Sequence, residues 1–151
     1  MRRDFLFQSK EKKMTQHHID TVFKGGMAFE TNIGGHTITI DANPEFGGQD
    51  LGPSPKKLLL NSLTGCTAMD VVSMLNKMRV DFSDFSVSVT GTLTEEHPKV
   101  YSTLEVEYKI KVNEADQPKM QKAVDLSVER YCGVSAMLAK AADVTHKITY
   151  I

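Results

Sequence analysis

The chain has 151 residues, 40% hydrophobic and 25% charged, the balance of a folded domain with a sizeable core rather than a disordered segment. Its formal net charge of −1 excludes nucleic acid or an anionic membrane as an electrostatically held partner. Two cysteines, Cys66 and Cys132, exclude a disulfide-rich secreted framework.

Residues 1–14 lack a clean hydrophobic period and read as a flexible N-terminal extension, with residues 15–151 as a single domain. No apolar signal segment opens the chain, which predicts a cytoplasmic protein. The adjacent His17 and His18 project to opposite sides of a strand and do not make a metal pair. Ile19–Phe23, Met27–Thr31 and His36–Asp41 read as three short strands joined by glycine turns, a meander. Gly25-Gly26 is not a phosphate loop, because no helix opening with Gly-Lys-Ser/Thr comes after it. Asn43–Pro55 is a long Gly/Pro-rich loop.

Ser54–Arg79 then reads as one long helix, with Ser54 as N-cap and Pro55 at the first helical position. Its apolar residues cover more than one stripe, which predicts burial. Polar residues such as Asn61, Ser62, Asp70 and Ser73 interrupt the apolar run, so no membrane span is expected. Gly65 lies mid-helix, where glycine costs about 1 kcal/mol relative to alanine and calls for a close approach by a backbone or substrate. Asp70 comes four residues after Cys66, so thiol and carboxylate share a face.

Phe85–Thr94 and Val100–Val112 alternate apolar and polar residues and predict a long antiparallel hairpin with one buried face. A helix from Pro118, an interruption at Tyr131-Cys132-Gly133, a short third helix and a closing strand Val144–Tyr150 complete the chain. The order β-β-β-α-β-β-α-α-β is α+β: mostly antiparallel sheet carrying a long buried central helix. His36 and His146 read as hydrogen-bonded strand histidines, and the eight methionines as core filler. With two cysteines and no tight His/Cys spacing, no metal site and no cofactor are expected. From spacing alone, Cys66 and Cys132 are either a reversible pair, one attacking and one resolving, or two unrelated buried cysteines.

Two stretches around these cysteines carry a resemblance. P-S-P-K-K-L-L-L-N-S-L-T-G-C-T-A-M-D-V-V-S-M-L at 53–75 resembles the central helix of the OsmC-like family, which includes the organic hydroperoxide resistance proteins. R-Y-C-G-V-S-A-M-L at 130–138 resembles the family's second cysteine motif. The G-C-T-A-M-D-V-V core resembles a branch distinct from the well-studied peroxidases. The resemblance implies an intertwined homodimer that reduces organic hydroperoxides, with Cys66 as peroxidatic and Cys132 as resolving cysteine. It also implies recycling by a small dithiol or a lipoyl-protein.

The family's peroxidases hold the attacking thiolate with an arginine and that arginine with a glutamate early on the central helix. Here the matching helix position is Lys56, beside Lys57, and no arginine lies between Arg3 and Arg79. The cations available to activate Cys66 are Lys24, Lys56, Lys57 and Arg130, with Asp70 acting against them if ionised. The alternative function is a non-catalytic binding protein that holds an apolar small molecule in the dimer cleft, its cysteines inert.

Overall fold

The structure is a computed structural model that describes residues 15–151; the expected N-terminal extension lies outside the described residues. The chain divides into two compact units, one ending at Pro53 and one beginning at Ser54.

The first unit is the expected meander, with β1 (Thr21–Gly25), β2 (Ala28–Ile33) and β3 (His36–Ile40) paired antiparallel in the order β1-β2-β3. β1 starts two residues later than its hydrophobic pattern suggested, and it runs on to Gly25, which still pairs with Ala28 before the turn. Gly34 and Gly35 form the two-residue turn between the paired Ile33 and His36, both with positive φ (59° and 86°). That is the backbone whose twist matches a hairpin and that glycine adopts without penalty.

After β3 the Gly/Pro-rich loop is ordered around one side chain. The buried Asp41 carboxylate accepts from the backbone N–H of Ala42 (2.8 Å), Gln49 (2.9 Å) and Leu51 (3.2 Å). These bonds, led by the one from Gln49, hold its pKa below the ordinary value.

The second unit opens with α1 (Pro55–Lys77). Ser54 stands at the N-cap position, but its side chain makes no capping bond. The helix ends in a Schellman motif: Arg79 N–H donates to Asn76 O (3.1 Å) and Val80 N–H to Leu75 O (3.0 Å), with Arg79 left-handed at φ 54°. A sheet comes next, in the order β4 (Phe82–Leu93), β5 (Tyr101–Val112), β6 (Asp143–Tyr150). β4 and β5 form the expected antiparallel hairpin. β6 instead lies parallel to β5, because α2 (Gln117–Leu126) and α3 (Gly133–Leu138) carry the chain back to the starting end of β5.

The core lies between α1, the inner face of β5 and α2. Leu63, Val71 and Leu75 meet Leu104, Val106, Tyr108 and Ile110, and Met120, Ala123 and Val124 close it. Each of the larger aliphatic side chains contributes roughly 1.5–3 kcal/mol by leaving water.

The composition of α1 predicts a helix buried nearly all round, and the structure corrects this. Within one chain a single stripe is fully buried, Leu63, Thr67, Val71 and Leu75. Met69 is 70% exposed and Leu59 42%. The sheet and α2 cover one side, which is all that one layer can reach. By length and composition α1 would suffice to cross a membrane, with a mean hydropathy of 1.4 over its most apolar 18 residues. That corrects the expectation that its polar residues are too frequent. Packing argues against a span instead, since the buried stripe belongs to the core of this folded unit.

Candidate active site

α1 sets three side chains within two adjacent turns. Thr67 belongs to the buried stripe, Cys66 precedes it half-buried, and Asp70 lies one turn further on. Opposite them the chain leaves α2 through a π-helical turn, Ser127–Tyr131, closed by a bond from Cys132 N–H to Ser127 O (2.8 Å). Such a turn inserts one extra residue and re-aims the chain beyond it. Here it delivers Cys132 in extended conformation as the N-cap of α3, 2% exposed, with its sulfur accepting from Ser135 N–H at 3.3 Å.

The result joins two parts of the sequence that spacing alone left separate. The Cys66 sulfur, the Cys132 sulfur and an Asp70 carboxylate oxygen all lie within 4.8 Å of one another, and both thiols are free. Burial pushes the Cys132 thiol up to about 11, opposed by the Ser135 N–H, while Cys66 and Asp70 push it further up. Cys132 is therefore a neutral thiol at physiological pH, and Cys66 is the more accessible sulfur.

Behind the sulfurs runs a chain of buried hydroxyls. Ser127 donates to Asp70 Oδ2 (3.1 Å), Thr67 Oγ1 meets Ser127 Oγ (3.0 Å) and the Tyr108 hydroxyl (2.6 Å), and Tyr108 meets His146 Nδ1 (3.1 Å). Burial pushes Tyr108 up to about 12 and lowers His146, so both are neutral near pH 7. His146 is thus the hydrogen-bonded strand histidine expected. It also lines a cleft of about 230 Å³ with Gln121, Asp125 and Glu129. The thiols do not line that cleft, so the chemistry is placed by the sulfurs rather than by the concavity.

The expected activating cations do not gather here. Arg130 is exposed and makes no hydrogen bond or ion pair with Cys66, Cys132 or Asp70 among the described residues. Lys56 and Lys57 are exposed on the first turn of α1, and ten residues at 1.5 Å each put Lys56 about 15 Å along the axis from Cys66. Lys24 pairs with Glu30 (3.5 Å) in the first unit. Among the described residues the Asp70 carboxylate has no cationic partner. At Gly65 a Cβ would meet nothing within 4 Å, so no backbone among the described residues explains that glycine.

Sequence reasoning missed Thr67, Tyr108, Ser127 and Ser135. The available signal was a hydroxyl at the inward position of β5, at Tyr108, and another on the apolar face continuing α2, at Ser127.

The sequence profile of the OsmC-like proteins matches residues 47–147, which include both cysteines, Asp70 and the hydroxyl chain. The chain belongs to the OsmC-like family. It is 38% identical to Protein YhfA of Escherichia coli over 112 residues, 74% of this chain and 81% of that one. It is similar to the crystal structure of a hypothetical protein from Aquifex aeolicus, with TM-score 0.80 and 26% identity over 91% of this chain and 98% of that one. An organic hydroperoxide resistance protein from Elizabethkingia anophelis shares the fold at TM-score 0.65 and 14% identity, covering 92% of this chain and 100% of that one. The family fixes the fold, and with it the α+β arrangement around a long central helix.

Proposed function

We propose that this chain is a cytoplasmic thiol-dependent redox protein that reduces organic hydroperoxides through Cys66 and Cys132, working as a homodimer. The observation that carries the reading is the meeting of the only two cysteines in the chain, with one sulfur reachable from solvent and the other buried beside it. Membership of a family whose relatives include organic hydroperoxide resistance proteins supports it.

The Cys66 thiolate attacks the outer oxygen of ROOH. The O–O bond breaks, ROH leaves, and Cys66 becomes a sulfenic acid. The Cys132 sulfur then attacks the Cys66 sulfur, water leaves, and a disulfide remains. A dithiol, such as a lipoyl group, returns both thiols and becomes a disulfide itself. Asp70 shares a face with Cys66 and is held by Ser127 on Oδ2, where its negative charge opposes the thiolate unless a cation meets it. Exposed Met69, Tyr131 and Met137 flank the motif residues in sequence and favour an alkyl or aryl tail over hydrogen peroxide.

The open face of α1, with Leu59, Gly65 and Met69, is the surface for a second copy, which would account for a glycine that meets no neighbour among the described residues. Lys56 or Arg130 of that copy would supply charge that no cation among the described residues gives Asp70.

The test is consumption of cumene hydroperoxide with a dithiol reductant. Cys66→Ser abolishes turnover, and Cys132→Ser stops after one equivalent with a sulfenic acid that dimedone traps. If both variants turn over as fast as the parent, the reading is wrong.

A further inference from the structure

We propose that Cys66, Asp70 and Cys132 bind one thiophilic divalent cation, of the zinc type, while the thiols are reduced. Three donors of the right chemistry converge: two sulfurs and a carboxylate oxygen, all within 4.8 Å of one another. Donors on one tetrahedral zinc ion, with bonds of about 2.3 Å to sulfur and about 2.1 Å to oxygen, sit roughly 3.6–3.8 Å apart. Closing onto an ion therefore asks for side-chain movements of about 1 Å or less, within the reach of χ1 adjustments.

The charge pattern favours a cation. All three groups are anionic when deprotonated, and among the described residues the Asp70 carboxylate has no cationic partner. Two thiolates and one carboxylate suit a borderline-soft ion such as Zn²⁺ and disfavour Mg²⁺ or Ca²⁺, which take oxygen ligands.

The donors are also held from behind, as metal ligands are. Ser127 donates to Asp70 Oδ2 (3.1 Å) and is itself fixed by Thr67 (3.0 Å); Ser135 N–H donates to the Cys132 sulfur (3.3 Å). Such bonds orient ligands and leave their remaining lone pairs for the ion. Cys66 and Asp70 chelate from one helical face at i and i+4, and Cys132 closes the site from the π turn. Because Cys66 is half-buried, a fourth position stays open to water or a small ligand.

Binding displaces two thiol protons per ion. The release step rests on the hydroperoxide reading above. The two metal-bound thiolates lose two electrons to ROOH, a disulfide forms, and ROOH with two protons gives ROH and water. The ion leaves, because a disulfide sulfur is a poor ligand. Metal occupancy and the Cys66–Cys132 disulfide thus exclude each other at this site.

The experiment titrates the reduced, metal-free full-length chain with Cd²⁺, following thiolate-to-metal charge-transfer absorbance, with Zn²⁺ stoichiometry from equilibrium dialysis. The expected result is one ion per chain. Cys132→Ser should lower the charge-transfer amplitude. Asp70→Asn should weaken binding at least tenfold and Ser127→Ala by about tenfold, with unchanged far-ultraviolet circular dichroism showing that each variant is folded. The proposal is overturned if the parent takes up less than half an ion per chain at micromolar metal. It is also overturned if folded Asp70→Asn binds as tightly as the parent. Adding hydroperoxide to the metal-free protein tests the redox reading separately. Disulfide formation without metal uptake sinks only the metal site, whereas metal uptake without disulfide formation keeps the site and sinks the release.

Discussion

Thr67 Oγ1 and the Tyr108 hydroxyl meet at 2.6 Å in the core, 41 residues apart in sequence. Both side chains are fully buried, and Thr67 also holds Ser127 while Tyr108 also holds His146. A buried hydroxyl stripped of its partner costs about 1–3 kcal/mol, whereas removing both partners together costs less than the sum. Thr67→Val and Tyr108→Phe should therefore each destabilise by roughly 1–3 kcal/mol, with the double variant falling short of additivity. Urea unfolding of the four proteins in the cycle reads this directly; strict additivity would show that the contact carries no energy.

The same network sets how stability depends on pH. Tyr108 is pushed up to about 12 from an ordinary 10.0, so the folded state keeps its proton longer than the unfolded chain does. That contribution is complete below pH 10 and is lost as the pH rises toward 12. His146 is shifted the other way, down from 6.5 by burial, so its contribution is complete above pH 6.5 and is lost as the pH falls below it. Tyr108→Phe should flatten the alkaline fall in stability, and His146→Gln the acid one. Denaturation midpoints across a pH series check both.

In the first unit, the loop after β3 should depend on one carboxylate. Asp41 receives three backbone N–H bonds that lower its pKa from 3.8, so their stabilisation is present above that value and lost as acid protonates it. Asp41→Ala should speed hydrogen exchange at Gln49 and Leu51 by tenfold or more at neutral pH, with the exchange of β2 amides little changed. Equal protection in parent and variant would mean that the loop is held by something else.

A second copy on the open face of α1 makes a prediction that a lone domain does not. Met69 is 70% exposed, and substitutions at such surface positions usually change stability by less than about 0.5 kcal/mol. If a partner covers it, Met69→Glu buries a charge at the interface and should shift the sedimenting species from dimer to monomer. A parent that sediments as a monomer at micromolar concentration would rule out the dimer.

Much of this was legible because local patterns and tertiary structure agree. The alternation in β5 named its buried residues, Leu104, Val106, Tyr108 and Ile110 among them, and the motifs around Cys66 and Cys132 named the fold. What was hidden depended on contacts distant in sequence. Ser127 lies 57 residues from Asp70 and 60 from Thr67, and no local pattern marks a serine in a helix as the support of a carboxylate. Arg130 shows the opposite case within one chain. Two positions from Cys132 it looked near the sulfur, but the π turn ends between them, leaving Arg130 exposed and Cys132 buried. The breadth of the apolar surface on α1 was read as burial because a sequence does not say whether its own chain or another covers it.

Whether the two thiols act as one redox pair is decided most directly by intact mass with a free-thiol count, on metal-free native protein before and after one equivalent of cumene hydroperoxide. A working pair loses two hydrogens per chain and both free thiols, and shows a Cys66–Cys132 linkage in the peptide map. An unchanged mass with both thiols still free would contradict the pair, and would leave a binding protein with inert cysteines.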